Sequence, residues 1–599
     1  MRLFPSISRP AAPPRQRGAA LSRPTALAIA AAAVVALGTP AHLVAQRPSA
    51  RIQAQINRLP LERQVAQLVM PWLLGNYAGF DAEGLATARG WVDSLGVGGI
   101  IISIGAPADV AAKLNFLQTR SKLPLLIAAD LEGGAAFRFP GATPFPTNMG
   151  VGATGRIEDA AEMARITGLE GRAVGVHLNF APVADINNNP ANPIINTRSF
   201  GEDPGQVALL TAASVRGSRA GGMLSTAKHF PGHGDTDVDS HISLPVIRGD
   251  WARLNAIELV PFRAAIAAGV EAIMSAHVAL PAITGDSTIP GTLSPKVLGA
   301  MLRDSLKFGG LVVTDALDMG ALVAAYGGGE AAVRAFEAGT DLLLMPSNPR
   351  DVIQAMTAAI RSGRISQARF RRSLDRVTAI KERLGLFRLR TVSLDKVGTV
   401  VGRQSFVDSA RSIVRRSLVL ARDSGSAIRN LRGTAGDLAL ITYGGTDWST
   451  TLPGLLTRRG HKVAPFRLYP MSGAASYDSA RAILSRHPNA VFSVAVRVAS
   501  GSGTIAMPEA LAFLMEESAA ARPTALVSFG SPYLLDQAPG VQSLLLAWTA
   551  NWLTEEAVAN ALTGAPITGR LPIALPSGEP LGGGLVLPAT TRVDATVVR

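Results

Sequence analysis

Residues Gly310 to Leu317 read GLVVTDAL, a short apolar run that ends on a carboxylate, Asp315. Branched residues favour extended backbone, and a run apolar on both faces suits a strand covered on both sides. The same layout recurs at Gly96–Ser103 (GVGGIIIS), Leu123–Asp130 (LPLLIAAD), Val176–Ala184 (VHLNFAPVA), Met223–Phe230 (MLSTAKHF), Glu271–Val278 (EAIMSAHV) and Asp341–Pro346 (DLLLMP). Val65–Trp72 adds a first, less regular unit. Longer helical segments separate the runs, which implies a parallel sheet covered by helices. Eight such units over about 340 residues fit a (β/α)8 TIM-type barrel better than an open sheet. Asp130, Asp185, Lys228, His229, His277 and Asp315 all fall at or just after the ends of their runs. Polar strand ends are common, but the C-terminal edge of a barrel is also where catalytic groups gather.

An Arg-rich helical stretch, Ser366–Leu386, closes this region, and residues 388–415 read as a linker. Beyond it, Ser417–Ala421 (SLVLA), Asp437–Thr442 (DLALIT), Ala490–Val496 (AVFSVAV), Ala525–Phe529 (ALVSF) and Ser543–Trp548 (SLLLAW) read as five strands of a smaller, open parallel sheet. The expected layout is a barrel over residues 46–387, the linker, and a C-terminal α/β sandwich domain over 416–599. Ahead of the barrel, five Arg residues precede the unbroken apolar stretch Ala26–Leu37, followed by Gly38, Pro40 and Leu43-Val44-Ala45. Those are the three regions of an export signal spanning residues 1–45. The apolar stretch is short of the about 20 residues a membrane span needs. The expected location of the mature chain is therefore periplasmic or extracellular, with no stable membrane span.

Of 599 residues, 47% are hydrophobic and 17% charged, enough to build a large core and too apolar for a disordered chain. No residue is Cys, so thiolate nucleophiles, disulfides, iron–sulfur clusters and thiolate metal sites are all excluded. The formal charge is +14, but the excess is scattered, mostly as Arg, with no basic run interleaved with aromatics. A nucleic-acid partner is not expected.

The densest chemistry lies in Lys228–His241, KHFPGHGDTDVDSH, with three His and three Asp in fourteen residues. His229 and His233 have the spacing of a helical zinc pair, but Pro231 and Gly232 between them break a helix. A loop-built metal site stays open as an alternative. Asp239 and His241 stand two apart, so on an extended segment they project the same way. The carboxylate can then fix the imidazole tautomer and raise the basicity of the other nitrogen, making an acid/base couple. A purely structural Asp-His pair is the competing reading. Asp315, at a strand end, is placed to act as a nucleophile or, more plainly, to cap the helix that follows.

KHFPGHGDTDVDSH, Asp130-Leu131-Glu132-Gly133-Gly134 ahead of Arg138, Asn196–Gly201 (NTRSFG) and Val313–Met319 (VTDALDM) resemble, in that family's order, the glycoside hydrolase family 3 β-N-acetylhexosaminidases of the NagZ-like branch. SLVLARD, SFGSPYLL and Thr568–Pro576 (TGRLPIALP) resemble the family's C-terminal α/β sandwich. The resemblance implies an exo-acting, retaining β-N-acetylglucosaminidase that needs no cofactor or metal. Its substrates would be peptidoglycan fragments, chitooligosaccharides or related GlcNAc-bearing oligosaccharides. It implies Asp315 as nucleophile, His241 assisted by Asp239 as acid/base, and Asp130, Arg138, Arg198, Lys228 and His229 as sugar-holding residues. Ala135, Ala136 and Ala316 depart from what many relatives carry at those positions. A His in place of the usual second carboxylate would also admit an anionic acceptor, so a phosphorylase is the main alternative, with a broad β-glucosidase of the same family behind it.

Overall fold

In the computed structural model, residues 47–79, 82–433, 436–446, 448, 450–499, 501 and 503–590 are described. The export signal read over residues 1–45 lies outside them. No described helix is long and apolar enough to cross a membrane.

The first strand, β1, consists of two pieces, Val69–Met70 and Trp72–Leu73, broken at Pro71, which has no N–H to donate. It is followed by β2 (Gly99–Ile102), β3 (Leu126–Ala129), β4 (Leu178–Asn179), β5 (Leu224–Phe230), β6 (Ala272–Ser275), β7 (Leu311–Val313) and β8 (Leu343–Leu344). Each pairs in parallel with the next from β1 to β7. Val313 bridges to Leu342, and β8 pairs in parallel with Val69–Met70 of β1, so hydrogen bonds run from the last strand back to the first. The result is an α/β fold with a curled parallel sheet. The element read over Val65–Trp72 is half right, because Leu61–Ala66 finishes a helix before β1 begins.

Parallel pairing keeps residues in register on one side of the sheet. Ile101, Ala128, Leu178 and Leu224 are in register across four strands and lie in one buried cluster with Met70, Met274, Val313 and Leu343. At the opposite edge from the strand-end cluster, buried Asp341 receives Arg303 at 2.8 Å, Arg376 at 3.1 Å and Arg369 at 3.5 Å. Two of these cations belong to the helix Gln367–Arg383, so part of its Arg content serves to neutralise one carboxylate.

Among the described residues the second sheet has six strands where the sequence reads as five: β9 (Val419–Asp423), β10 (Asp437–Tyr443), β11 (Lys462–Leu468), β12 (Asn489–Val494), β13 (Thr524–Ser528) and β14 (Ser543–Leu546). Their order is β9–β14–β13–β12–β10–β11. β11 is half-exposed, contains Pro465 and forms one edge, so it has no continuous apolar run to betray it. The sheet is also not wholly parallel, since β9 runs antiparallel to β14 along the other edge. Residues 388–415, read as a linker, run largely as the helices Leu394–Val400 and Gln404–Ser417. Phe406, Ile413 and Val414 of the latter join Phe145, Ile166 and Phe200 of the first region and Leu440 and Val527 of the second sheet in one core cluster. Arg416 clamps Asp159 with two hydrogen bonds, 2.7 and 3.0 Å, across the same junction.

Candidate active site

The six ionisable residues found at strand ends come together at one rim of the curled sheet, and a further carboxylate, Glu132, joins them. Glu132, two residues beyond Asp130, is the hub. It accepts two hydrogen bonds from Arg198, at 2.8 and 2.9 Å, and lies 2.7 Å from Lys228 Nζ. Lys228 also donates to Asp130 Oδ1 at 2.8 Å. Burial alone would push the Glu132 carboxyl up, but the adjoining Arg198 and Lys228 hold it well below its usual range. Burial would likewise strip Lys228 of its proton, and Asp130 and Glu132 keep it charged. The Lys228 side chain is buried and that of Asp130 is about a quarter exposed, so this network has a dry end and a wet end.

Asp185, fully buried, orients the neighbouring loop. Its Oδ2 lies 2.6 Å from His229 Nδ1, while its Oδ1 accepts the main-chain N–H groups of His229 and His233 at 3.1 and 2.8 Å. His229 Nε2 is then left facing Arg198 Nη2 at 3.3 Å. His233 has a different task. Its Nδ1 meets Thr236 Oγ1 at 3.1 Å and its Nε2 meets Ser240 Oγ at 3.0 Å, and burial lowers its pKa to about 4, so it is a neutral brace within the loop. Asn192 ties the loop from outside by donating to the carbonyls of His233 and Gly234, each at 2.9 Å.

That loop delivers Asp239 and His241. Asp239 Oδ1 accepts both the main-chain N–H of His241, at 2.9 Å, and its ring Nδ1–H, at 2.8 Å. Asp239 is buried while the His241 side chain is 35% exposed, so the imidazole stands at the solvent edge with Nε2 unclaimed by the carboxylate. Burial resists charge on Asp239, and the two His241 donors and the Gly501 amide overcome it, lowering its pKa.

Asp315 follows β7 and accepts the N–H of Ala316 at 2.8 Å. His277, after β6, reaches the carbonyl of the same Ala316 at 2.9 Å and Thr292 Oγ1 at 2.9 Å. Burial works against ionisation of Asp315, but His229, His277, the Ala316 amide and Lys228 together bring its pKa down to about 2. Asp318 moves the other way, raised by burial and by the charge of Asp315. The helix after Asp315 begins at Gly320, where an added Cβ would sit 3.3 Å from the carbonyl oxygen of His241, so the loop carrying Asp239 and His241 rests beside the segment after Asp315.

An ionised, buried carboxylate thus stands on a segment packed against the loop that carries a carboxylate-held imidazole, with an ordered set of cations and anions in the same site. That is the equipment for nucleophilic attack at an anomeric carbon with proton transfer to and from the leaving oxygen. Residues 60–380 match the family profile described as glycosyl hydrolase family 3 N terminal domain. The chain belongs to glycoside hydrolase family 3. A β-N-acetylglucosaminidase/β-glucosidase of Cellulomonas fimi is 31% identical over 80% of this chain and 88% of its own. β-Hexosaminidase A of Pseudoalteromonas piscicida is 35% identical over 57% of this chain and 58% of its own. Among solved structures, a family 3 β-N-acetylglucosaminidase from Paenibacillus sp. str. FPU-7 is similar with a TM-score of 0.77 and 33% identity, covering 87% of this chain and all of its own. A β-glucoside phosphorylase gives a TM-score of 0.80 at 25% identity, covering 88% of this chain and 98% of its own. The protein is a glycoside hydrolase.

In this family 3 enzyme the structure gathers Asp130, Arg198, Lys228 and His229 into one network and sets the Asp239–His241 pair beside Asp315. Arg138 stands outside those ion pairs. Its guanidinium lies over the Phe137 ring, 4.6 Å from the centroid, and its buried Nε has no hydrogen-bond partner. The sequence reading assigned no role to Glu132, although it sits inside the quoted Asp130–Gly134 motif. Asp185 and His277 were visible as ionisable strand ends, without a sign of what they hold. Among the described residues, no group of three or more His, Asp or Glu is arranged to hold a metal ion.

Proposed function

We propose that this family 3 enzyme is an exo-acting, retaining β-N-acetylglucosaminidase. It releases terminal β-linked GlcNAc from peptidoglycan fragments or related oligosaccharides outside the cytoplasm, acting from a closed (β/α)8 barrel followed by an α/β sandwich. The observation that carries the reading is the double hydrogen bond from His241 to Asp239 beside the ionised Asp315.

In the first step an Asp315 carboxylate oxygen bonds to the anomeric carbon as the glycosidic C–O bond breaks. His241 Nε2–H gives its proton to the departing oxygen. In the second step a water oxygen attacks the same carbon, His241 Nε2 takes a water proton, and the bond to Asp315 breaks to return the carboxylate. Two inversions restore the β configuration. Asp239 stays ionised throughout and steadies the imidazolium formed in each cycle. Asp130, Arg198, Lys228 and His229 provide donors and acceptors for sugar hydroxyls and the 2-acetamido group, with Arg138 at the margin.

Purified protein is expected to release chromophore from an aryl β-GlcNAc faster than from the matching β-glucoside. Equal or reversed preference would overturn the substrate assignment. The similarity to a phosphorylase and the use of an uncharged imidazole keep one rival reading in play, because no second carboxylate repels an incoming phosphate. Product analysis with added phosphate separates the two: free GlcNAc supports hydrolysis, and GlcNAc-1-phosphate supports phosphorolysis.

A further inference from the structure

The Asp239 carboxylate is satisfied from two distant parts of the chain. Its Oδ1 is taken up by the ring and main chain of His241, and its Oδ2 accepts the main-chain N–H of Gly501 at 2.8 Å. Gly501 is 262 positions away, in the connection between β12 of the second sheet and the helix Glu509–Ala521. Its φ is +78°, a left-handed conformation that L side chains rarely adopt, while the space around it is open. Glycine is thus required there by conformation and not by crowding. Two residues on, a Cβ on Gly503 would come within 3.3 Å of Ile242 Cδ1, so the connection lies against the residue that follows His241.

The second sheet reaches the next site loop as well. Asn187 Nδ2 donates to the Tyr533 hydroxyl at 2.8 Å and Asn196 Nδ2 to Ser531 Oγ at 3.4 Å, near the two ends of the stretch that leads from Asp185 to Arg198.

A carboxylate can orient an imidazole only if it is itself prevented from turning about its own Cβ–Cγ bond. Asp239 and His241 are two residues apart on one loop, so their mutual bonds do not anchor the pair to the rest of the site. The Gly501 amide does, because it grips the second oxygen from another part of the molecule. A backbone donor is well suited to this, since it has no side-chain rotamers to lose and bonds best to an ionised acceptor.

We infer that Gly501 is a positioning residue of the acid/base couple: the second α/β region, through this one main-chain N–H, fixes the Asp239 carboxylate so that its other oxygen aims His241 at the leaving-group oxygen. The inference rests on the assignment of Asp239 and His241 as the acid/base couple. It gives the second region a part in the chemistry beyond stability.

The test compares two substrates on the full chain. An aryl β-GlcNAc with a poor leaving group, phenyl, needs a proton as it departs, and the 2,4-dinitrophenyl analogue does not. Gly501→glycolate, introduced as a backbone ester, replaces the N–H donor by an ester oxygen without adding a side chain; Gly501→Ala keeps the N–H but strains the turn that presents it. For both variants kcat/KM on the phenyl substrate is expected to fall about ten-fold, as loss of one hydrogen bond to a charged group would do, with the dinitrophenyl value changed less than about two-fold. His241→Ala should show the same split in stronger form. An equal fall on both substrates, or no fall on either, in the Gly501 variants would overturn the inference while the His241→Ala split stands. Absence of the split in His241→Ala would instead overturn the acid/base assignment, and the role of Gly501 with it.

Discussion

Asp185 holds His229 at two points, its Oδ2 at 2.6 Å from the ring Nδ1 and its Oδ1 at 3.1 Å from the main-chain nitrogen, with no solvent exposure of the carboxylate. The ring is therefore fixed as an Nδ1–H form whose Nε2 faces the Arg198 side of the site. Asp185→Asn offers an amide that cannot accept on both atoms. We expect kcat/KM to fall about 10- to 100-fold, the cost of a lost hydrogen bond to a charged group. The fall should be similar for good and poor leaving groups, because the proposed mechanism gives the leaving-group proton to His241 and not to His229. Steady-state kinetics on the two aryl substrates check this.

Glu132 neutralises Lys228 and Arg198 together, with both cations largely removed from water. Glu132→Gln leaves that pair of positive charges with only Asp130 and Asp185 to offset them. Breaking a buried ion pair from one side costs about 3–5 kcal/mol. Spread over a chain of this size, that lowers the melting temperature by roughly 3 °C. A thermal unfolding curve of the variant beside the parent measures it, and an unchanged midpoint would refute the hub role.

Asp315→Asn is expected to lower kcat by at least about 1,000-fold, as removal of a group that acts only in the reacting complex does. The native carboxyl, brought down to about 2, stays ionised over any ordinary assay range. An acid limb in the kcat/KM profile above pH 4 therefore belongs to another group. The stability contribution has a definite sign. A folded pKa below the unfolded value means that the contribution is present above about pH 4 and is lost as pH falls toward 2. Titrating stability from pH 5 to pH 2.5 should show the loss in the parent and a shallower slope in Asp315→Asn.

Lys381 gives a dependence of the same sign in a higher pH window, this time from a buried charge that costs stability. It is buried in the helix Gln367–Arg383, with Nζ donating to Gln67 Oε1 at 2.9 Å, and burial lowers its pKa to about 7. Between about pH 7 and 10 the unfolded chain binds a proton here that the folded chain releases, so this group makes stability rise with pH across that window. Lys381→Met should flatten the rise and leave the variant at least as stable as the parent at pH 6, where the buried charge is most costly. Denaturation midpoints at pH 6, 8 and 9.5 decide it.

Much of this molecule is legible in local sequence. Apolar runs such as Leu123–Asp130 and Gly310–Leu317 encode a strand and its ionisable end within eight residues, because the pleat and the burial of a strand covered on both sides are local constraints. The Asp239–His241 couple is equally local, since a spacing of two suffices to bring the groups together. β11 escaped because an edge strand needs only one covered side, and the reversed direction of β9 leaves no mark on an apolar run. The partners inside the site depend on topology. Glu132 meets Arg198 across 66 positions, Lys228 meets Asp130 across 98, and Asp239 meets Gly501 across 262. By itself the sequence determined which ionisable residues stand at the ends of which apolar runs, and that Asp239 and His241 lie two apart. Only the tertiary structure decided which charge neutralises which and that a glycine amide from a connection of the second α/β region holds the Asp239 carboxylate, because such pairings are set by how strands close and pack and not by the spacing of residues along the chain.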